Sequence, residues 1–286
     1  VPIEPREGPD RPALRAALAA GVQIMGVVNV TPDSFSDGGQ FLDAGAAVAH
    51  GEQLLADGAD LLDVGGEATN PRARPISAEA ELARVLPVVA RLAAAGATVS
   101  IDTTKAAVAR AAVAAGARII NDVSGGLFDP EMAGAIGDAT YIAGHLRGRS
   151  IAEVFAAEPA ARPLDWRTVA DELAERIAAL PAATRVWVDP GLGFGKGADP
   201  EANLALLRHS HDLGARLGRP VVIGASRKRF VRRAFGVGDH GLDRDLAALD
   251  AASVAASLDA IEAGANVVRV HNVALLRAAL ALYTKE

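Results

Sequence analysis

Eight short hydrophobic runs in this 286-residue chain each end in residues that can do chemistry. After Ile24–Val28 come Asn29 and the stretch Thr31-Pro-Asp-Ser-Phe-Ser-Asp37-Gly-Gly39. Leu61–Val64 contains Asp63 and leads into Gly65, Gly66, Glu67, Thr69 and Asn70. Thr98–Ile101 runs into Asp102-Thr-Thr-Lys105, Arg118–Ile120 into Asn121-Asp122, and Thr140–Ile142 into Gly144-His145. Arg185–Val188 precedes Asp189-Pro-Gly-Leu-Gly-Phe-Gly-Lys196, and Val221–Ile223 precedes Gly224-Ala-Ser226-Arg-Lys228-Arg229. Val267–Val270 carries Arg269 and leads into His271-Asn272. One such residue alone is an ordinary helix cap or loop group. Sets converging from nearly every run point to a single site.

The residue types narrow its ligand. Lys228, Arg269 and His271 are cationic or can become so. Arg269 and His271 are two apart, so on a strand both face one side. Such a pair suits an anion, with Arg as a forked donor to phosphate oxygens. The Ser226–Arg229 turn is expected to open a short helix through Phe230 and Val231, and a helix N-terminus favours a phosphate. Asp102, Asn121 and Asp189 are short donors and acceptors suited to a polar heterocycle, and a carboxylate accepts two parallel N–H bonds from an amidine-like edge. The set reads as a pocket for a nitrogen heterocycle beside a phosphate site. Gly191-x-Gly-x-Gly-Lys196 lacks the spacing of a nucleotide-binding phosphate loop, since Pro190 stands where its first Gly belongs. His209 and His211 lie two apart on an expected helix and face different ways, which argues against a metal pair. Glu67 fits a general base or a structural hydrogen bond equally well.

The elements that must carry these residues follow from periodicity. The eight β-branched runs read as strands buried on both faces. Helical spacing recurs between them over Ala44–Leu55, Ala78–Leu92, Lys105–Ala115, Trp166–Leu180, Glu201–Leu213 and Ala247–Ala263. Gly58, Gly96, Gly116 and Gly264 each follow a helical pattern, as a helix-terminating glycine does. The tetrads Asp57-Gly-Ala-Asp60, Ala95-Gly-Ala-Thr98, Ala115-Gly-Ala-Arg118 and Ala263-Gly-Ala-Asn266 are repeats of one helix-to-strand junction. Parallel strands need helical crossovers. Eight strands with helices between them predict an α/β chain folded as a (β/α)8 TIM barrel, with the site at the C-terminal strand ends. An open doubly wound sheet is the alternative. No linker breaks the pattern, so residues 1–286 are expected to form one domain, with 1–20 as an N-terminal extension.

Composition excludes several classes. There is no Cys, which removes disulfides, thiolate metal sites and cysteine nucleophiles. Aromatics are only 4%, so base-stacking surfaces are scarce and aliphatics must fill the core. Twenty-nine Lys and Arg against 35 Asp and Glu leave −6, without the broad basic field of a nucleic-acid binder. No apolar run approaches the ~20 residues of a membrane span. The expectation is a cytoplasmic protein with neither nucleic-acid nor membrane partners, and a locally cationic mouth hidden in an acidic average.

Five motifs then carry a resemblance. Gly26-Val-Val-Asn-Val-Thr-Pro-Asp-Ser-Phe-Ser-Asp-Gly-Gly39, Asp63-Val-Gly-Gly-Glu67, Asp189-Pro-Gly-Leu-Gly-Phe-Gly-Lys196, Ser226-Arg-Lys228 and Arg269-Val-His271 resemble those of the dihydropteroate synthases, in family order, from residue 24 to about 280. Corrinoid-linked methyltransferases share the pterin-binding barrel but do not typically carry the first motif in this form. The resemblance implies condensation of 6-hydroxymethyl-7,8-dihydropterin diphosphate with p-aminobenzoate, releasing pyrophosphate in folate biosynthesis, and inhibition by sulfonamides. It implies that Asp102, Asn121, Asp189 and Lys228 hold the pterin. Asn29, Arg269 and His271 would hold the diphosphate, with Mg2+ on Asn29. Asn29, Lys228, Arg269 and His271 would thus carry the catalysis. Phe35, Thr69, Pro71 and Phe194 would complete the p-aminobenzoate pocket, with Ser226 and Lys228 near its ring and carboxylate. Two mobile loops, Asn29–Gly39 and Glu67–Arg74, would close over it, and the enzyme would be a homodimer.

The chain also departs from the family. Its second loop reads Glu67-Ala-Thr-Asn-Pro-Arg72 where Glu-Ser-Thr-Arg-Pro-Gly is usual, so an Arg has become Asn70 and a Gly has become Arg72. Arg72 or Arg74 could replace the lost arginine. The alternative is a pterin-binding paralogue with weak or altered synthase activity. Gly144 stands where Met is common and would leave space near the pterin. Arg229, where Ser is frequent, either pairs with the p-aminobenzoate carboxylate or is a solvated surface residue.

Overall fold

The computed structural model describes residues 11–31, 44–71, 74–157, 162–197, 199–238 and 242–284. The chain opens with α1 (Pro12–Ala19), β1 (Gln23–Asn29), α2 (Ala44–Ala56), β2 (Leu61–Gly65), α3 (Ala78–Ala94) and β3 (Val99–Asp102). It continues through α4 (Ala106–Ala114), β4 (Ile119–Asp122), α5 (Met132–Ala135), β5 (Thr140–Gly144), α6 (Ile151–Ala157) and α7 (Trp166–Ala178). Then come β6 (Arg185–Asp189), α8 (Pro200–Arg208), α9 (Ser210–Leu217), β7 (Val222–Ile223), α10 (Arg229–Ala234), α11 (Leu242–Glu262), β8 (Val267–Val270) and α12 (Val273–Thr284). All eight expected strands form. They pair in parallel in the order β6-β5-β4-β3-β2-β1-β8-β7. A parallel bridge between Val188 and Val221, with the Val188 N–H donating to Pro220 O at 2.9 Å, joins the two ends. The fold is a (β/α)8 barrel and not an open sheet.

The repeated tetrads are helix stops of one kind. Gly58, Gly96, Gly116 and Gly264 take φ of +99°, +90°, +113° and +93°. The alanine after each glycine donates back five residues, as in Ala59 N to Leu54 O and Ala265 N to Ala260 O, both 2.9 Å. That 6→1 closure turns the chain into the next strand. At helix starts, Ser77, Asp165 and Asp199 cap α3, α7 and α8 through their side chains. The expected helix over 201–213 is in fact two, α8 and α9, broken at His209. The Ser210 hydroxyl donates to Leu207 O, and the His211 N–H is spent on Ala263 O, so the helical ladder is interrupted there. Residues 11–20, given no role from sequence, include α1, whose Leu14 is fully buried and whose flanking Arg11 pairs with Asp259 and Glu262 of α11.

Period two then sorts the strand residues. Met25, Leu61, Ile119, Ile142, Val222 and Val267, with Trp187, pack together as an apolar plug. Two residues further along those strands lie Val27, Asp63, Asn121, Gly144, Gly224, Asp189 and Arg269 on the same face. The opposite faces, including Val64, Ile101, Ile120, Tyr141 and Val268, pack against the helices in the main core. The sequence therefore places its polar residues directly above the plug, at the C-terminal mouth.

Candidate active site

A buried ion cluster forms the floor of this mouth. Asp63 is fully buried, and its Oδ2 accepts from Asn121 Nδ2 at 2.9 Å and from Arg269 Nε at 2.5 Å. Arg269 Nη2 donates to Asp102 Oδ2 at 2.9 Å. One edge of the guanidinium is thus shared between two carboxylates. Asp63 Oδ1 is buried with no partner among the described residues. Burial raises the Asp102 carboxyl to about 7, with Arg269 opposing and Asp63 adding to the rise. The sequence places Asp63 in a motif without marking its role as the shared acceptor. The signal available was its place two residues before Gly65, on the inward face.

Lys228 stands at the mouth. Its Nζ donates to Leu192 O at 2.5 Å and lies 4.6 Å from the Phe194 ring centroid. Burial lowers this amine to about 8, against the pull of Asp189. Asp189 ends β6 and accepts the Gly191 N–H at 2.7 Å, which turns the Asp189–Lys196 loop across the site. Gly224 belongs to the same wall, since a Cβ there would sit 3.8 Å from Arg269 and 3.9 Å from Lys228 Nζ.

Ser226 and His271 form a second pair. Ser226 Oγ accepts the His271 backbone N–H at 3.2 Å and lies 3.0 Å from His271 Nδ1. The hydroxyl keeps one proton and a second lone pair, so Ser226 either donates to Nδ1, with the imidazole proton on Nε2, or accepts from Nδ1–H. Burial lowers His271 to about 3, with Arg269 and Arg227 adding to it. The sequence groups His271 with residues that are or can become cationic, and burial beside Arg269 and Arg227 favours its neutral form. Among the described residues of the floor, Lys228 and Arg269 stand among Asp63, Asp102 and Asp189.

The other expected residues divide. Asn29 ends β1 in register with Gly65 and is half-buried. Thr69 and Pro71 follow β2 at the same barrel end, and neither bonds to the cluster. Arg229 is exposed, with its guanidinium 5.4 Å from the Phe155 centroid, and Phe155 lies 6.0 Å from Phe194. It therefore stands on an aromatic rim and is not simply solvated. Helix α10 forms as expected but spans only six residues. Phe35, Arg72 and most of the Asn29–Gly39 loop lie outside the described residues.

Several strand-end groups face away from the mouth. Asp122 is buried on the outer face and bonds Tyr141 Oη, Ser124 and Gly126. Glu67 accepts the Ile76 N–H at 2.9 Å and pairs with Lys105 at 2.6 Å, as does buried Glu81, so its role is structural. Lys196 is buried and bonds His145 O, His145 Nδ1 and Phe194 O, which leaves it no phosphate role. His145 faces Glu172 and is held neutral by burial. Gly144 leaves no space either, since a Cβ there would come within 2.5 Å of the Val123 backbone.

One further residue is conformationally unusual. Arg227 has φ +59°, the one positive value outside glycine among the described residues. That conformation costs ~1–3 kcal/mol. Arg227 Nε and Nη2 grip Asp250 at 2.7 and 3.0 Å. Neither residue was singled out from sequence, because their meeting is tertiary.

The model of the pterin-binding enzyme family matches residues 25–271. Dihydropteroate synthase of Mycobacterium leprae is 45% identical over 259 residues, 89% of this chain and 89% of that protein. This chain belongs to the dihydropteroate synthase family. Among solved structures, the Xanthomonas albilineans dihydropteroate synthase with 4-aminobenzoic acid is 40% identical, covers 92% of each chain and has a TM-score of 0.77. The same enzyme in complex with 7,8-dihydropteroate gives 0.73 over the same shares. The Yersinia pestis dihydropteroate synthase, solved with a sulfonamide drug complex, is 34% identical over 92% of each chain, with a TM-score of 0.77. The dihydropteroate synthase family is one of transferases, and among the described residues no helix is long and apolar enough to cross a membrane.

Proposed function

We propose that this member of the family condenses 6-hydroxymethyl-7,8-dihydropterin diphosphate with p-aminobenzoate. The C–O bond to diphosphate breaks, a C–N bond forms to the aniline nitrogen, and pyrophosphate and one proton leave. The observation that carries the reading is the junction of Asp102, Asn121 and Arg269 through Asp63, with Lys228 on the adjoining wall. That floor offers acceptors for the amidine-like edge of a pterin beside cations for its diphosphate. In this reading Asp102, Asn121, Asp189 and Lys228 hold the pterin. Arg269 and His271 stabilise the charge that develops on the departing diphosphate. The aniline nitrogen is neutral near pH 7, so attack needs no strong base. Phe194, Thr69, Pro71, Phe35 and Ser226 border the aminobenzoate, and Arg229 on its aromatic rim receives the carboxylate. Closing loops would exclude water, the competing nucleophile.

Magnesium fits this site as a companion of the substrate. The described residues contain no group of three His, Asp or Glu side chains that could hold a metal. Asn29 offers one amide oxygen, and Mg2+ commonly takes its remaining ligands from substrate phosphates and water. Bound there, the ion would neutralise diphosphate charge. The reading extends to a cytoplasmic homodimer, as the family resemblance implies.

Asn70 favours a second reading, a paralogue with altered synthase activity. Complementation of a strain lacking the synthase separates the two, alongside pyrophosphate release by the purified protein. Growth without folate end products, with release dependent on p-aminobenzoate, supports the synthase. Binding of pterin diphosphate without aminobenzoate-dependent release would overturn it.

A further inference from the structure

We propose that Asp250, on α11 outside the barrel, is a positioning residue that locks the catalytic face of β7 to that of β8. Its carboxylate touches both sides of one junction. Oδ1 and Oδ2 take the Arg227 fork at 2.7 and 3.0 Å, and Oδ2 also accepts from Asn272 Nδ2 at 3.0 Å. Arg227 is the neighbour of Ser226, and Asn272 is the neighbour of His271. Asp250 thus holds together the two segments that meet at the Ser226–His271 contact.

The backbone supports this reading independently. Arg227 is kept in the left-handed region, which a side-chain-bearing residue occupies only where its surroundings enforce it. The enforcement is visible. The Arg227 N–H donates to Ser253 Oγ at 2.9 Å, one turn along α11, and Asp250 holds the side chain. Ser253 is itself fixed by its bond to Leu249 O at 2.6 Å. The reversed turn at residue 227 directs Ser226 toward His271 and Lys228 toward Leu192 and Phe194 on either side. Among the described residues Asp250 bonds these flanking residues and not the mouth cluster, so it acts through Arg227 and Asn272.

This inference rests on the synthase reading for its kinetic test, but not for its spectroscopic one. The variants are Asp250→Ala, Arg227→Gly, Arg227→Ala and the double variant Arg227→Gly/Asp250→Ala. Arg227→Gly keeps the turn conformation without strain, and Asn272 remains as a partner of Asp250. A loss of register of about 1 Å costs on the order of a hundredfold in rate. Each single variant is expected to lose tenfold to a hundredfold in kcat, with KM for p-aminobenzoate changed less. The double variant should lose no more than the worse single one, because the two residues act as a unit. In 15N-histidine spectra, wild-type His271 should show a single tautomer, fixed by its contact with Ser226. Asp250→Ala and Arg227→Gly should show a mixture. Wild-type protein without synthase activity would sink the functional reading and leave the tautomer readout standing. Unchanged kcat together with an unchanged His271 tautomer in both single variants would overturn the clamp.

Discussion

Replacing Asp63 by Asn should move the acid limb of the pH profile downward. Asp102 is pushed up to about 7 by burial, and the charge of Asp63 adds to that rise. A carboxylate that accepts pterin N–H bonds serves best when ionised, so kcat/KM should climb as pH rises through about 7. Lys228 sits at about 8, so its charge and its hold on the pterin fade above that. The profile is a narrow bell. Removing the negative charge of Asp63 makes Asp102 easier to ionise. It also leaves Arg269 to Asp102 alone, which acts in the same direction.

The size follows from the shared guanidinium. Two carboxylates on one edge of Arg269 lie roughly 5 Å apart, where like charges repel by about 3 kcal/mol at an effective dielectric of ~20. One pH unit is about 1.4 kcal/mol, so the ceiling is about two, and water in the open mouth trims it to about one. The acid limb should therefore move from about pH 7 toward about pH 6. The basic limb should stay near 8, because the charges acting on Lys228 are those of Asp189, Arg269 and Asp102. The assay is pyrophosphate release at low pterin diphosphate, from about pH 5.5 to 9. Titration of the substrate phosphates is common to both proteins and cancels in the comparison. An acid limb that stays in place or moves up in Asp63→Asn would refute the argument.

Other substitutions test the remaining assignments. Tyr141→Phe removes a bond to buried Asp122 and should cost about 1.5–3 kcal/mol of stability in denaturant unfolding, with kcat/KM unchanged, because that pair faces the helices. Lys105→Met strands the buried Glu81 carboxylate and frees Glu67, so a loss of about 3–5 kcal/mol is expected, seen as a lowered Tm. If Arg72 or Arg74 stands in for the missing loop arginine, Asn70→Arg should change kcat/KM little. Removing the arginine that serves should then cost about 1.5–3 kcal/mol of transition-state stabilisation, and unchanged kcat/KM in both Arg72→Ala and Arg74→Ala would reject the compensation.

Periodicity carried the fold, because its determinants are local. The Gly-Ala tetrads read as helix-to-strand junctions, and each proved to be a 6→1 closure around a positive-φ glycine. Strand ends likewise bring Asp102, Asn121, Asp189 and Arg269 to one mouth without knowledge of their partners. The failures lie where a neighbour distant in sequence decides. Asp122 is adjacent to Asn121 and equally polar, yet one residue of offset turns it to Tyr141 and the outer layer. Gly144 looks like spare room until the Val123 backbone fills it. His271 counts as a potential cation in composition, while burial beside Arg269 and Arg227 favours its neutral form.

That last reversal changes how a diphosphate must be received. A mouth of free cations would bind any polyanion. Here Arg269 is already committed along one edge to Asp63 and Asp102, and Lys228 leans on Leu192 O. A heterocycle whose N–H groups donate to Asp102 competes with Arg269 for that carboxylate, and loosens the guanidinium toward its own diphosphate. Pterin and diphosphate sites so coupled should bind cooperatively. Pyrophosphate alone should bind weakly, and its affinity should rise when a non-reactive pterin is present. Calorimetric titration of pyrophosphate and Mg2+, with and without such a pterin, measures that coupling. Equal affinities in the two titrations would mean that Arg269 reaches the phosphate without leaving its carboxylates.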